Sequence, residues 1–93
     1  GKNIGILDVR KPSEYEQSYV EGADFNTLAH LQENLDSIDK EKDMYVYCAG
    51  GYRSVIACSL LKANGYHRVN NVYGGFGAIK EDERVNVVVG HTV

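Results

Sequence analysis

Cys48 and Arg53 are separated by four uncharged residues, Ala49-Gly50-Gly51-Tyr52, and Ser54 follows the arginine. A cysteine does chemistry as its thiolate, and this stretch favours the anion in three ways. Glycines let a short loop turn its backbone N–H groups inward, which makes an anion-binding nest. A helical pattern opens at Arg53-Ser54, so the loop ends on a helix N-terminus with its partial positive charge. Arg53 adds a full charge. The helix end contributes about 0.3–1 kcal/mol when exposed and up to ~2 when partly buried. One pKa unit corresponds to about 1.36 kcal/mol. The helix end alone therefore lowers a thiol by roughly one unit, and amide hydrogen bonds and Arg53 have to supply the rest. The bland alternative is a buried strand-end cysteine acting as a small hydrophobe. It explains neither the paired glycines nor the arginine.

Such a thiolate needs elements to hold it. Met44 to Tyr47 reads as a central strand that delivers Cys48. Ser54 to Asn64 reads as a helix with Ala57, Leu61 and Gly65 on its packing face, stopped at Asn64-Gly65. Ile4 to Val9 is a buried strand, with Asp8 at the C-terminal edge, where open parallel sheets build their sites. A short helix starts near Pro12, either through a Ser13–Glu16 capping box or with Pro12 as its first residue. Tyr15 and Tyr19, four apart, pack on one face, and a brief extended piece surrounds Phe25.

Leu28, Leu31, Leu35 and Ile38 form an amphipathic helix stripe that leaves His30 solvated, and the later part of Asp36–Asp43 is a loop. Val69 to Tyr73 is a short strand interrupted by Asn70 and Asn71. Gly74-Gly75-Phe76-Gly77 lacks the full phosphate-binding fingerprint and reads as a tight turn onto a short helix. Lys80 to Arg84 is solvated charge, and Val85 to Val89 is strand-like. Strands alternating with helices give an α/β fold with a mostly parallel sheet.

At 93 residues the chain fits one domain, residues 1–84, with a strand-like tail at 85–93. A net charge of −3 argues against a nucleic-acid or membrane-surface partner. No apolar run is long enough to span a bilayer, and no signal-peptide pattern opens the chain. Two cysteines do not make a disulfide framework, so a reducing, cytoplasmic location is expected. Cys58 reads as core packing rather than as a resolving thiol. His67 and His91 are isolated, no Cys/His set has metal-ligand spacing, and neither metal nor organic cofactor is expected.

Cys48-Ala49-Gly50-Gly51-Tyr52-Arg53-Ser54 resembles the active-site loop of rhodanese domains. Leu7-Asp8-Val9-Arg10 with Ser13-Glu14-Tyr15 resembles the family's opening motif. Val20 to Asn26 resembles its Ile-x-Gly-Ala-x-Asn-Ile segment, and Val72-Tyr73-Gly74-Gly75-Phe76 its closing turn. Arg53-Ser54, Ala57, Leu61 and Gly65-Tyr66 match the helix between them. The likeness runs from Ile4 to Ile79, in order. Ser18-Tyr19 stands where the family often has Gly-His, and Ile79 where it usually has Trp. The run Gly74 to Lys80 is most similar to rhodanese domains fused behind metallo-β-lactamase-fold hydrolases, which makes a fused or neighbouring hydrolase a candidate partner.

The resemblance implies a central sheet with helices on both faces. It also implies a sulfurtransferase that moves a sulfane sulfur from thiosulfate or a small persulfide, through a Cys48 persulfide, to a thiol or cyanide. Cys48 is then the nucleophile. Arg53 orders the loop and attracts anions. Ala49, Gly50, Gly51, Tyr52 and Ser54 bind the sulfur, and Asp8 and Arg10 support the rim. The uncharged loop suits a low-molecular-weight persulfide better than thiosulfate, a dianion.

Two rivals stand beside this reading. Cysteine phosphatases of the same fold have one more residue between Cys and Arg. A sulfur carrier or binding module would serve a larger fused protein. Family members usually begin with a further strand and helix ahead of the Leu-Asp-Val-Arg motif. Only Gly1 to Asn3 stand there, so Val85–Val89 is expected to cover a bare sheet edge, within one molecule or across a dimer.

Overall fold

Alternation along two strands sets the architecture. The protein is described by a computed structural model covering residues 4–89. His91, the first three residues of the 1–84 unit and the last four of the tail lie outside the described residues. In β1 (Ile4–Asp8) and β4 (Asp43–Tyr47), Leu7, Met44 and Val46 point to one face, and Ile6 and Tyr47 to the other. β1 and β4 are parallel neighbours, paired from Ile4↔Asp43 to Asp8↔Tyr47. β3 (Asp24–Phe25) and β5 (Val69–Asn71) add parallel strands outside them, in the order β3-β1-β4-β5.

Both faces are covered. On the first, α2 (Tyr52–Ala63) buries Ala57, Cys58 and Leu61 against Leu7, Val46 and Cys48. On the second, α3 (Gly75–Ile79) brings Phe76 onto Tyr47 and Val20. α2 starts at Tyr52, two residues before the Ser54 expected. It stops where the sequence says it should. Gly65, at φ +90°, lets Tyr66 N–H bond Leu61 C=O at 2.9 Å and its own N–H bond Lys62 C=O at 3.2 Å.

Several details differ from expectation. The first helix, α1 (Pro12–Gln17), takes Pro12 as its first residue. The carboxylate that reaches back to cap it is Glu14, accepting from Lys11 N–H at 2.9 Å, not Glu16. Tyr15 stacks on Tyr19 and Phe25, with both ring pairs 4.3 Å apart, although Tyr19 belongs to the next strand, β2 (Ser18–Val20).

Leu31 and Ile38 are buried and Leu28 and Leu35 partly buried, as the stripe predicts, but the stretch forms two 3₁₀ segments, Leu28–His30 and Gln32–Ser37, each followed by one of the buried residues, rather than one α-helix. Asn34 leaves helical geometry at φ −111°, ψ 17°. Its side chain bonds the His30 carbonyl, and Ser37 Oγ bonds the Asn34 carbonyl. Local side-chain bonding of this kind competes with the α-helical ladder.

Within the molecule, Val85–Val89 does not cover an edge of the four-stranded sheet. β6 (Val87–Val89) runs antiparallel to β2, from Ser18↔Val89 to Val20↔Val87, as a separate two-stranded ribbon. Val85 and Val87 pack against Val20, Tyr47 and Phe76. That apolar contact, together with the backbone groups of β2 awaiting a partner, draws the tail to β2.

Candidate active site

Cys48 follows the last residue of β4 at the C-terminal edge of the parallel sheet, and only 1% of it is exposed. The chain then reverses through Gly51, whose φ of +106° favours glycine. Gly50 shows no such need, so one glycine of the pair carries the turn. The reversal points N–H groups at the sulfur: Gly51 N–H donates to Sγ at 3.0 Å and Ser54 N–H at 3.3 Å. Tyr52 and Arg53, the first two helical residues, have no carbonyl within α2 for their amides. The Ser54 hydroxyl lies 3.5 Å from Sγ.

Burial pushes the Cys48 thiol up. Hydrogen bonding with the Ser54 hydroxyl and with the backbone of Ser54, Gly51 and Arg53 outweighs it, and the thiol sits below its ordinary value. Cys58 is the opposite case: burial in the core pushes its thiol up, with Lys62 a weaker opposing influence.

The Arg53 side chain engages Glu14 of α1. Nη1 and Nη2 donate to the two carboxylate oxygens at 2.7 and 2.9 Å. The Arg53 guanidinium holds the Glu14 carboxyl well below the usual range, at about 2. In the sequence Glu14 stands only within the opening motif, and nothing local marks it as the partner of an arginine 39 positions away. A carboxylate lowered on folding stabilises the fold above its unfolded pKa, and that stability is lost as pH falls through the folded value. The thermal midpoint of the wild type should therefore exceed that of Glu14→Gln near neutral pH, and the gap should close between about pH 4 and pH 2. Both side chains are 30% exposed, so the gap is of the order of 1 kcal/mol after screening, about 4–8 °C. A gap independent of pH would refute it.

Asp8 and Arg10 do not reach Cys48. They form a buried ion pair, Nη2 to Oδ2 at 2.7 Å, with Arg10 also donating to the Ser18 carbonyl at 2.7 Å. Asp8 Oδ2 accepts from the Tyr47 hydroxyl at 2.7 Å, and that hydroxyl accepts from Val20 N–H at 3.2 Å. The guanidinium lies 4.2 Å from the Phe76 ring centre. The pair thus ties β1, β2 and α3 to Tyr47, the residue before Cys48. Burial pushes the Tyr47 phenol well up, which keeps it a donor to Asp8.

Tyr52 and Tyr73 are 86% and 88% exposed. Together with Gly50, Gly51, Val55, Asn71 and Gly74 they line a cavity of about 220 Å³ that contains no charged residue. His30 is solvent-exposed and bonds Glu33. Among the described residues, no group of three or more histidine, cysteine, aspartate or glutamate side chains is placed to hold a metal ion. No helix among them is long and apolar enough to cross a membrane.

The Cys48 thiol is thus held by backbone amides at the C-terminal edge of a parallel α/β sheet. Residues 1–82 match the rhodanese-like domain, and the chain belongs to that family. The chain is 36% identical over 75 residues to the thiosulfate sulfurtransferase GlpE of Coxiella burnetii, covering 81% of this chain and 70% of GlpE. It is 30% identical over 74 residues to the putative sulfur carrier protein YrkF of Bacillus subtilis, covering 80% of this chain. The crystal structure of the Alr3790 protein from Anabaena superposes with a TM-score of 0.88 at 30% identity, over 97% of this chain and 70% of that one. The chain spans 40% of YrkF and 56% of YqhL, an uncharacterized B. subtilis protein 35% identical to it over 71 residues and 76% of this chain.

Proposed function

We infer that the protein is a sulfurtransferase whose Cys48 carries a sulfane sulfur between a small donor and a thiol or cyanide acceptor. One observation carries this: the Cys48 sulfur accepts backbone N–H bonds from Gly51 and Ser54, in a loop with only four residues between Cys48 and Arg53. A ring this small suits a single sulfur atom rather than a tetrahedral phosphate. The thiolate attacks the outer sulfur of a thiosulfate or persulfide. A new S–S bond forms at Cys48 as the donor's S–S bond breaks, and the electron pair leaves with sulfite or the donor thiolate. The outer sulfur of the resulting Cys48 persulfide is anionic, and in this reading the Tyr52 and Arg53 amides, which have no carbonyl partner within α2, stabilise it. An acceptor then attacks that sulfur, and the bonding pair returns to Cys48. Ala49, Gly50, Gly51, Tyr52 and Ser54 form the sulfur site, Arg53 orders it through Glu14, and Asp8 and Arg10 support it.

The uncharged cavity beside the loop favours a low-molecular-weight persulfide over thiosulfate. Similarity to a putative sulfur carrier, and partial coverage of longer relatives, support a second reading: residues 1–84 as a carrier unit within a larger protein, such as one with a fused hydrolase. A cytoplasmic site fits a persulfide that must meet free thiols. Intact-mass analysis after donor treatment is expected to show one added sulfur atom, removed by cyanide, and no appreciable aryl-phosphate hydrolysis. Transfer to small thiols at many turnovers supports the free enzyme, and a single discharge supports the carrier. No added sulfur, or phosphatase turnover that depends on Cys48, overturns both.

A further inference from the structure

Ser54 has one hydroxyl proton and three neighbours competing for it. Its Oγ lies 3.5 Å from Cys48 Sγ, 3.1 Å from the Gly51 carbonyl oxygen, and in close contact with Asn71 Oδ1. The carbonyl and the amide oxygen only accept. With its proton on either of them, the hydroxyl faces Cys48 with a lone pair. That suits a thiol, which can donate, and opposes a thiolate, which cannot. A thiolate needs the hydroxyl proton turned toward sulfur. Ser54 Oγ would then face Asn71 Oδ1 oxygen to oxygen, with no proton between them. A half-turn of the Asn71 amide removes that conflict by bringing Nδ2–H to Oγ. Among the described residues, Asn71 Nδ2 has no protein acceptor to lose. Ser54 is fully buried and Asn71 half-buried, so water can reach this contact only from the Asn71 side.

We propose that Asn71 is a positioning residue for the nucleophile: its side-chain amide turns together with the Ser54 hydroxyl, accepting when Cys48 is a thiol and donating when it is an anion. Asn71 ends β5, paired in register with Val46, two residues before Cys48 in the adjacent strand. The charged groups around Cys48 are already engaged: Arg53 of α2 with Glu14 of α1, and Asp8 of β1 with Arg10. β5 and α3 bring no titratable side chain. The neutral amide is therefore the adjustable partner on the β5 side of the hydroxyl.

This rests on Cys48 as the nucleophile, but its test reads ionisation rather than sulfur transfer. The pH dependence of iodoacetamide alkylation is followed in a Cys58→Ser background, so that one thiol reports. Asn71→Asp can only accept, and is expected to slow alkylation at neutral pH about tenfold by raising the midpoint about one unit. Asn71→Leu removes the support from Ser54 without adding charge, and should slow it about threefold. With Ser54→Ala also present, the Leu substitution should have no further effect, and the Asp substitution should keep only its charge repulsion. An Asn71→Leu midpoint equal to wild type, or shifted equally with and without Ser54, overturns the proposal. Loss of thiocyanate formation with this coupling intact would count against the sulfurtransferase reading alone.

Discussion

Cys48→Ser is expected to abolish thiocyanate formation from a sulfur donor and cyanide, and Cys58→Ser to leave it largely intact. The two thiols are both buried, at 1% and 7% exposure, so burial does not distinguish them. Their surroundings do. Both belong to one apolar cluster, but two backbone N–H groups and a hydroxyl meet the Cys48 sulfur, and among the described residues no such group meets Cys58. Serine at position 48 keeps the loop hydrogen bonds but cannot hold a sulfane sulfur through an S–S bond. The loss should reach three orders of magnitude or more, on the scale of removing a catalytic nucleophile, about 10³-fold at least. Serine at position 58 trades a small apolar contact for a hydroxyl, which affects stability by about 1 kcal/mol and the chemistry hardly at all. The assay is cyanide-dependent thiocyanate production, with folding checked by thermal melting. Full activity in Cys48→Ser would end the assignment.

What could be read in advance followed the distance over which each signal acts. The loop from Cys48 to Ser54 is a local device: residue types and spacing suffice to place a thiol above inward amides. The helix stop at Asn64-Gly65 is local too, and the bonds from Tyr66 and Gly65 confirm it. The leucine stripe from Leu28 to Ile38 showed which face is buried but not the helix type, because spacings of three and four fit both 3₁₀ and α geometry. The partners of the site were the least legible. Glu14 meets Arg53 only because α1 and α2 both end up at the sheet's C-terminal edge, and the one available signal was an arginine in an uncharged loop that needed an anion. Asn71 read as an interruption of a strand, and its meeting with Ser54 depends on the β4–β5 register. Val85–Val89 was recognisable as a strand from its composition, but the choice of β2 as partner rests on packing against Val20, Tyr47 and Phe76.

Gly75→Ala is expected to damage fold and site together, while Gly50→Ala is tolerated. Gly75 stands where α3 meets the loop that follows Cys48. A Cβ there would lie 2.6 Å from the Ala49 carbonyl oxygen and 2.7 Å from its carbon, and would also run into the Cys48 carbonyl oxygen. All three atoms are backbone, so no side chain can move aside. The residue also has φ +56°, which costs a non-glycine residue roughly 1–2 kcal/mol before any clash. Relief requires α3 to lift from the loop, which breaks the 2.7 Å bond from Phe76 N–H to Cys48 C=O and loosens Phe76 from Tyr47 and the Arg10 guanidinium. The summed cost is about 3 kcal/mol or more, the size reached when strain and lost packing coincide. In a domain of this length that lowers the melting temperature by at least about 12 °C. At Gly50 a Cβ meets nothing within 4 Å, and the amide is retained, so the change should stay within about 0.5 kcal/mol. Thermal unfolding of the two variants, with Cys48 alkylation rates as the local readout, decides it. A Gly75→Ala protein that melts and alkylates like wild type would show that the loop is not braced by α3.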